Sequence, residues 1–196
     1  MKFLILPLAL IAGPVLACPT SADLETGIVV EDTEEFKTLY RVVDGQLQRT
    51  DFYDTGESWQ SDLVFGTFWT NERTLYGGIL QPEEDLTVTL EDPSVTFLRP
   101  SAGLTQSVGT RVFHADETPY VETITHVWED LGRMSIGDCT YKSIAGRITY
   151  EAFGEPYTDM VQFLPTLGIT LIIGDEYPGE EPYFYPAEDI YVLGEK

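Results

Sequence analysis

Residues 137–173 have the sequence GDCTYKSIAGRITYEAFGEPYTDMVQFLPTLGITLII, and this stretch predicts the fold class of the chain. In its first half Ile148, Tyr150 and Ala152 alternate with polar residues. That period of two is typical of a strand with one buried face and one solvated face. Gly154-Glu155-Pro156 then interrupts the pattern and predicts a turn.

Two further strands are predicted downstream of that turn. Residues 158–164 place Val161 and Phe163 on one face, and Pro165 ends this strand because it has no N–H group for a sheet ladder. The following Leu-Gly pair predicts a tight turn into residues 169–173, which are rich in β-branched side chains. The stretch therefore predicts a three-stranded antiparallel meander, with a cysteine just before its first strand.

The rest of the chain also alternates short apolar runs with turn residues. Asp44-Gly45, between residues 36–43 and 46–53, predicts a type I′ hairpin because both central positions of that turn need positive φ. Residues 63–69 are predicted as one apolar strand, followed by a turn at Asn71-Glu72. A sustained helical period is absent from the sequence.

We therefore predict an all-β fold, an antiparallel meander that forms a curved open sheet, a partly open barrel or a sandwich. Residues 18–196 form a single domain with an acidic C-terminal tail that is rich in proline and aromatic residues. We expect the tail aromatics Tyr183, Phe184 and Tyr185 to pack on the sheet, with binding of a glycan or a partner as the alternative.

Residues 1–17 have the pattern of a signal peptide. Met1-Lys2 provides a positive region, and residues 3–11 are apolar but too few to span a bilayer. Cleavage after Ala17 would start the mature chain at Cys18. The prediction is a periplasmic or secreted protein that has no transmembrane segment in its mature form.

Cys18 has two alternative fates, which also decide the state of Cys139. With ordinary cleavage, two cysteines in an oxidising compartment predict a Cys18–Cys139 disulfide. Val15-Leu16-Ala17-Cys18 also resembles a lipobox, and a lipid anchor at Cys18 would leave Cys139 as a buried thiol. We favour ordinary cleavage because bulky Leu16 stands where lipoboxes have a small residue.

The chain is strongly acidic, with a formal net charge of −22. Removal of residues 1–17, whose only charged residue is Lys2, leaves a net charge of −23. Such a surface repels phosphate backbones and anionic membranes, so nucleic acid is not an expected partner. The expected partner is a small apolar ligand or an envelope protein, and the acidity itself is attributed to solubility.

Few residues are candidates for chemistry. His114 and His126 lie on the two arms of one predicted hairpin, and with Glu129 they would form a two-histidine, one-carboxylate metal site. Because no ligand pair has motif spacing, we favour a polar strand face for both histidines. The sequence predicts no catalytic residues and no cofactor, since Cys139 and the serines lack any nucleophile motif.

Three motifs resemble a group of exported, periplasmic proteins of α-proteobacteria to which no activity is assigned. They are Cys18-Pro19-Thr20-x-Ala22-Asp23-Leu24, Gly137-Asp138-Cys139-x-Tyr141 and Leu164-Pro165-x-Leu167-Gly168. The resemblance implies the compartment and a shared framework over most of the mature chain. It transfers no catalytic residues.

The leading functional hypothesis is a non-catalytic periplasmic or envelope module that binds an apolar ligand or an envelope partner. One alternative is a metal-dependent envelope hydrolase that uses His114 and His126. A second alternative is a structural envelope lipoprotein that has no ligand. An enzyme is the less favoured class because the sequence contains no catalytic motif.

Overall fold

The computed structural model describes residues 17–32, 36–115 and 117–196. Apart from Ala17, the predicted signal peptide lies outside the described residues. The described part contains two short 3-10 helices, Ser21–Glu25 and Pro82–Glu84. Its strands are β1 (Ile28–Glu31), β2 (Lys37–Val43), β3 (Gln46–Phe52), β4 (Glu57–Val64), β5 (Phe68–Tyr76), β6 (Ile79–Leu80), β7 (Leu86–Leu90), β8 (Thr105–His114), β9 (Tyr120–Ile136), β10 (Cys139–Ala152), β11 (Glu155–Leu164), β12 (Ile169–Glu176), β13 (Tyr183–Phe184) and β14 (Asp189–Val192).

All of these strands belong to one antiparallel sheet. Its order is β13-β12-β11-β10-β9-β8-β7-β5-β4-β3-β2-β1-β14, with β6 paired to β5 beside that path. Nearly every strand therefore pairs with its neighbour in the sequence, as in a long meander. The predicted all-β fold and curved open sheet are confirmed, and the sheet does not close into a barrel.

The meander predicted from residues 137–173 is present as β10, β11 and β12. Ile148 and Tyr150 are buried on β10, as are Val161 and Phe163 on β11. The boundary before β11 differs from the prediction, because Phe153 and Gly154 alone form the turn with φ of 55° and 80°. Pro156 consequently lies inside β11, opposite Glu151 of β10.

Two-residue turns with positive φ also join earlier strands. Asp44 and Gly45 have φ of 50° and 80°, which confirms the predicted hairpin of β2 and β3. The prediction of one strand over residues 63–69 is wrong, because Phe65 and Gly66 form a turn with φ of 53° and 71°. The turn predicted at Asn71-Glu72 is also wrong, since both residues lie inside β5.

Strands β9 and β10 extend beyond their neighbours as a two-stranded arm, residues 129–143. A bulge adds one residue to β9 opposite Ala145. The buried side of β10 changes here, since Ser143 and Ile144 are both buried although adjacent residues of a strand point to opposite faces. The arm therefore contributes to a different part of the core from the rest of β10.

The arm packs against the N-terminal segment of the chain. Cys139 forms the predicted disulfide with Cys18, with 5.5 Å between their Cα atoms. The hydroxyl of Tyr141 donates a hydrogen bond of 3.2 Å to the carbonyl oxygen of Pro19. These contacts fix residues 18–25 over the first core cluster.

The core consists of two clusters of buried side chains. The first joins the N-terminal strands, the arm and the β11–β12 turn: Leu24, Ile28, Val30, Tyr40, Leu63, Ile136, Cys139, Tyr141, Leu164, Leu167, Ile169, Leu171 and Ile190. The second lies between β8 and β11: Val108, Ile124, Trp128, Ile144, Ile148, Tyr150, Val161 and Phe163. Burial of these apolar side chains is the main force that holds the sheet in its curved form.

The curvature brings β12 back to the turn between β4 and β5. The N–H of Thr170 donates a hydrogen bond of 3.0 Å to the carbonyl oxygen of Gly66. The C-terminal tail then connects the two ends of the sheet, because its N–H groups bond to β12 at Ile173 and to β1 at Glu31. Both edges of the sheet are thus partly covered by the chain itself.

Candidate functional site

The proposed metal ligands do not converge. His126 of β9 lies opposite Gln106 of β8, whereas His114 lies eight residues farther along β8. At roughly 3.3 Å per residue, that spacing puts the two histidines about 26 Å apart along the strand. Glu129 is exposed in the β9 bulge. Within the described residues no three His, Cys, Asp or Glu side chains form a group that could hold a metal ion.

His126 lies in the interior and not on the expected polar strand face. It is 1% exposed, and its ring centroid lies 4.1 Å from that of Phe68 and 6.2 Å from that of Trp128. Burial lowers the pKa of His126 to about 3, so the imidazole is neutral at pH 7. Neither of its ring nitrogens has a hydrogen-bond partner among the described residues.

A small cavity adjoins this imidazole. It is lined by Thr67, Phe68, Trp69, Phe97, Ile124, His126 and Tyr150. Its volume, counted as the space open to the centre of a water molecule, is about 10 Å³. That space accommodates about one water molecule and is far too small for an acyl chain. The expected apolar ligand therefore has no preformed chamber here.

A buried ion pair on β3 is not predicted by the sequence pattern. The Nε of Arg49 lies 2.8 Å from the Oδ2 of Asp51, and both side chains are largely shielded from solvent. The Arg49 N–H is misaligned for a hydrogen bond, so the contact is electrostatic. Thr38 donates a hydrogen bond of 2.8 Å to Asp51 and satisfies the second carboxylate oxygen. This pair places a positive charge inside the curved sheet.

Two further carboxyl groups lie in the field of Arg49. Burial raises the pKa of Asp159 to about 6, while Arg49 opposes the shift and Tyr150 donates a hydrogen bond to the carboxyl group. Burial also raises the pKa of Glu72, again opposed by Arg49 and by a hydrogen bond from Ser61. The interior therefore contains an ionisable network that strand patterning alone could not predict, since its charged members come from three strands, β3, β5 and β11.

A second group of functional candidates lies at the opposite end of the sheet from the arm. Phe153, at the tip of the β10–β11 hairpin, is 85% exposed. Its ring centroid lies 5.2 Å from that of Tyr120, and the Tyr120 ring lies 5.9 Å from His114. The stacked rings of Tyr157 and Tyr177 continue this aromatic group, at 5.9 Å.

The tail aromatics add to the same end. β13 pairs with β12, with Asp175 opposite Tyr183. However, the side chain of Tyr183 is 67% exposed, so the expectation that it packs on the sheet is wrong. The ring of Phe184 does lie against Gly174 of β12, although 60% of this side chain is exposed. Tyr185 is half-buried. We call half-buried Tyr120 and the exposed side chains of Phe153, Tyr177, Tyr183 and Phe184 the aromatic rim.

The segments that carry the rim are acidic. Residues 115–122 contain three acidic residues, residues 151–157 two and residues 175–185 four, which makes nine, and none of the three segments contains Lys or Arg. Aromatic side chains are thus exposed in segments whose charged residues are all acidic, although Glu122 is buried and Glu176 is paired with Arg147 of β10. Rings and carboxylates together suit a partner that is both cationic and apolar.

The disulfide is relevant to the question of whether Cys18 carries a lipid anchor. The sulfur atom that a lipoprotein would use for its thioether is bonded to Cys139 in this structure. The described residues contain no helix that is long and apolar enough to cross a membrane. An intramolecular disulfide is compatible with an extracytoplasmic location.

Comparisons with protein-family models, with curated proteins and with solved structures give no match. The resemblance to exported α-proteobacterial proteins therefore stays a prediction. The function of the chain has to be inferred from its own residues.

Proposed function

We propose that this chain is an exported, non-catalytic interaction module whose aromatic rim binds a cationic segment of an envelope protein. The observation that carries the proposal is Phe153, which is 85% exposed with φ of 55°. A bulky side chain at positive φ is a conformational outlier, and a phenyl ring in water costs hydrophobic free energy. Phe65 has the same backbone conformation, so the features that favour a binding role for Phe153 are its greater exposure and its position beside Tyr120.

The charge of the rim selects the class of partner. The three rim segments contain acidic residues but no Lys or Arg, and apart from buried Glu122 and from Glu176, which is paired with Arg147, these acids can attract a positively charged surface. The same charges repel phosphate backbones and anionic bilayers. Lys and Arg side chains can interact with carboxylates and with the faces of Tyr and Phe rings, which makes a basic protein segment the occupant we propose.

The other hypotheses have less support. A chamber for an apolar ligand would need far more space than the cavity at His126 offers. A hydrolase that uses His114 and His126 would need side chains that the sheet holds far apart. A structural lipoprotein would need a free thiol at Cys18, which here is bonded to Cys139.

Export is part of the proposal. The Cys18–Cys139 disulfide supports an oxidising compartment, and the resemblance to periplasmic α-proteobacterial proteins supports the bacterial envelope. Cleavage after Ala17 would make Cys18, whose sulfur is bonded to Cys139, the first residue of the mature chain.

Binding of defined peptides to the exported protein tests the role of the rim. The probes are a peptide of alternating lysine and phenylalanine, one of lysine and serine, and one of glutamate and phenylalanine. We expect the lysine-phenylalanine peptide to bind at least about tenfold more tightly than either other peptide, a difference of about 1.4 kcal/mol. Isothermal calorimetry at two salt concentrations measures this preference and its electrostatic part.

Two matched variants locate the binding. Phe153→Asn removes the rim anchor, and Phe65→Asn removes the equivalent ring of the other Phe-Gly turn, which is 47% exposed at the opposite end of the sheet. Asn tolerates positive φ, so both variants should fold. We expect Phe153→Asn to weaken lysine-phenylalanine binding about tenfold and Phe65→Asn to leave it unchanged. Equal effects of the two variants, or equal binding of the lysine-serine peptide, would overturn the proposal.

A further inference from the structure

The connection between β7 and β8 is unusually long for a sheet of short turns. It runs from residue 91 to residue 104 and contains neither a strand nor a helix. We call it the strap. Connections of this length without regular structure are uncommon in a compact domain and are often functional. The strap crosses the second core cluster, where its Phe97 and Leu104 pack against the buried side chains.

One glutamine holds the middle of the strap. The side-chain amide of Gln106 donates a hydrogen bond of 2.8 Å to the carbonyl oxygen of Thr96 and accepts one of 2.9 Å from the N–H of Leu98. Between these two bonds, the ring of Phe97 stacks on Phe68 with 4.0 Å between the centroids. The neighbouring Leu98 is 45% exposed. Phe97 is therefore the contact by which the middle of the strap covers the interior.

His126 lies directly beneath these rings. Its imidazole packs on the Phe68 ring and borders the cavity that Phe97 also lines. A neutral imidazole has one N–H donor and one nitrogen acceptor, and neither is satisfied by the described residues although the side chain is 1% exposed. Buried polar groups in native proteins normally have partners, so this residue points to a ligand that supplies one for at least one of the two nitrogens.

We propose that His126 and Phe68 form a binding site for a small uncharged aromatic molecule with a hydroxyl or N–H group, which displaces Phe97 and is covered by the strap. The ring of the ligand takes the place of the Phe97 ring on Phe68. Its polar group donates a hydrogen bond to the imidazole nitrogen that carries no proton. Departure of the phenyl group enlarges the cavity to the size of one aromatic ring.

The surroundings define the class of ligand. Among the described residues no charged group contributes to the lowered pKa of His126, and the neutral imidazole cannot balance an anion, so a charged ligand would lose solvation energy without compensation. Aromatic side chains form most of the cavity wall, with Phe68, Trp69, Phe97 and Tyr150 among them. The hydroxyl of Thr67 is already engaged with Thr170 at 2.7 Å, which leaves His126 as the polar group that orients the ligand.

Fluorine NMR with two probes tests the site in the exported protein. Para-fluorophenol has the hydroxyl donor and is uncharged at neutral pH, whereas para-fluoroanisole has the same ring without the donor. We expect saturable binding of the phenol, at least about tenfold tighter than that of the anisole. Nitrogen-15 NMR of the histidine side chains should show a shift of the His126 ring signal on addition of the phenol.

Three variants separate the parts of the site. Phe97→Ala removes the competing ring and is expected to strengthen phenol binding about tenfold. His126→Leu removes the acceptor and is expected to abolish the preference for the phenol over the anisole. Leu98→Ala is the matched control on the strap, because its side chain lies outside the cavity lining and should leave affinity unchanged.

Three results would contradict the proposed binding site. The proposal fails if para-fluorophenol binds neither the native protein nor Phe97→Ala, or if both probes bind alike. It also fails if Phe97→Ala and Leu98→Ala have the same affinity, a comparison that does not depend on the folding of the His126 variant. Loss of peptide binding in Phe153→Asn leaves these results unaffected, since the rim and this site share no residue.

Discussion

The hydroxyl of Tyr40 donates a hydrogen bond of 2.7 Å to the backbone carbonyl oxygen of Thr170, across 130 residues of sequence. Tyr40 is on β2 and Thr170 on β12, strands that are far apart in the order of the sheet. The bond therefore exists only because the sheet curves until its two halves meet. It also satisfies a carbonyl group of Thr170, a residue that is itself buried.

Removal of this hydroxyl should destabilise the protein without emptying the core. Tyr40→Phe keeps the ring but leaves the Thr170 carbonyl without its partner, which we expect to lower the free energy of unfolding by about 1–3 kcal/mol. Urea unfolding measures the change. Tyr183→Phe, at a side chain that is 67% exposed, is the control and should be neutral. Equal stability of the two variants would show that the bond does not contribute.

Gly66 should be indispensable at the point where β12 meets the β4–β5 turn. A Cβ atom at Gly66 would overlap with the carbonyl oxygen of Gly168, and φ there is 71°. Gly45 has φ of 80° but no atom within 4 Å of the position of its Cβ. We expect Gly45→Ala to cost about 1 kcal/mol through backbone strain alone and Gly66→Ala at least about 3 kcal/mol. Similar thermal unfolding of both variants would contradict the close approach.

The disulfide should contribute a large share of stability. Cys18 and Cys139 are 121 residues apart in sequence, and closure of a loop of about this size in the unfolded chain is worth roughly 4–5 kcal/mol. We expect reduction of the native protein and the double variant Cys18→Ser/Cys139→Ser to lower the unfolding free energy by the same amount. If reductant further destabilised the double variant, the effect would not come from this bond.

Intact mass spectrometry of the exported protein checks the same bond independently. A chain that starts at Cys18 should have a mass two hydrogens below that of its reduced form. A mass raised by acyl groups, with one free thiol at Cys139, would instead establish the lipoprotein alternative.

Asp159 should make the protein less stable as pH rises through the acidic range. Burial is the main reason that its pKa is raised from 3.8 to about 6, with Asp175 adding to the shift and Arg49 opposing it. Between about pH 4 and pH 6 Asp159 therefore keeps its proton in the folded state but loses it in the unfolded state. The resulting contribution to the stability of the folded state is complete below pH 4 and is lost as pH rises to about 6. A rise of about two pH units in the pKa corresponds to a change of about 3 kcal/mol in the free energy of unfolding.

Asp159→Asn isolates this contribution. Asn mimics the neutral acid and can still accept the hydrogen bond from Tyr150, so we expect it to be more stable than the native protein by about 2 kcal/mol at pH 7.5 and equal to it at pH 4. Burial lowers the pKa of His126 to about 3, so this residue destabilises the folded state as pH falls. That effect is the same in the native protein and in Asp159→Asn. A difference that does not change with pH would contradict the raised pKa.

Local features of the fold could be predicted from sequence. The alternation at Ile148 and Tyr150 and the Asp44-Gly45 turn depend on neighbouring residues only, and the structure confirms both. Phe65-Gly66 was missed because a single glycine in an apolar run was interpreted as part of a strand. The positive φ of both residues shows that the Phe-Gly pair is the turn signal, as it also is at Phe153-Gly154.

The candidate sites were less predictable. Residues 183–185 were noted as potential binding aromatics, but their exposure depends on how β13 pairs with β12. The lack of ligand-pair spacing favours a polar strand face for His126, whereas the structure surrounds it with Phe68 and with Phe97 of the strap. Arg49 and Asp159 were not identified at all, since a charged residue in a strand is normally solvated.

The sequence by itself determined the class of fold and the Asp44-Gly45 hairpin, because these follow from a period of two and from a residue pair that tolerates positive φ. With only two cysteines, it also allowed a single intramolecular disulfide, with lipidation of Cys18 as the alternative. Only the tertiary structure decided which residues meet across the sheet. Burial of two apolar clusters curves the sheet and the strap covers it, and both effects depend on contacts between residues far apart in the chain. The pKa values, the orphaned imidazole and the exposed rim are consequences of that curvature.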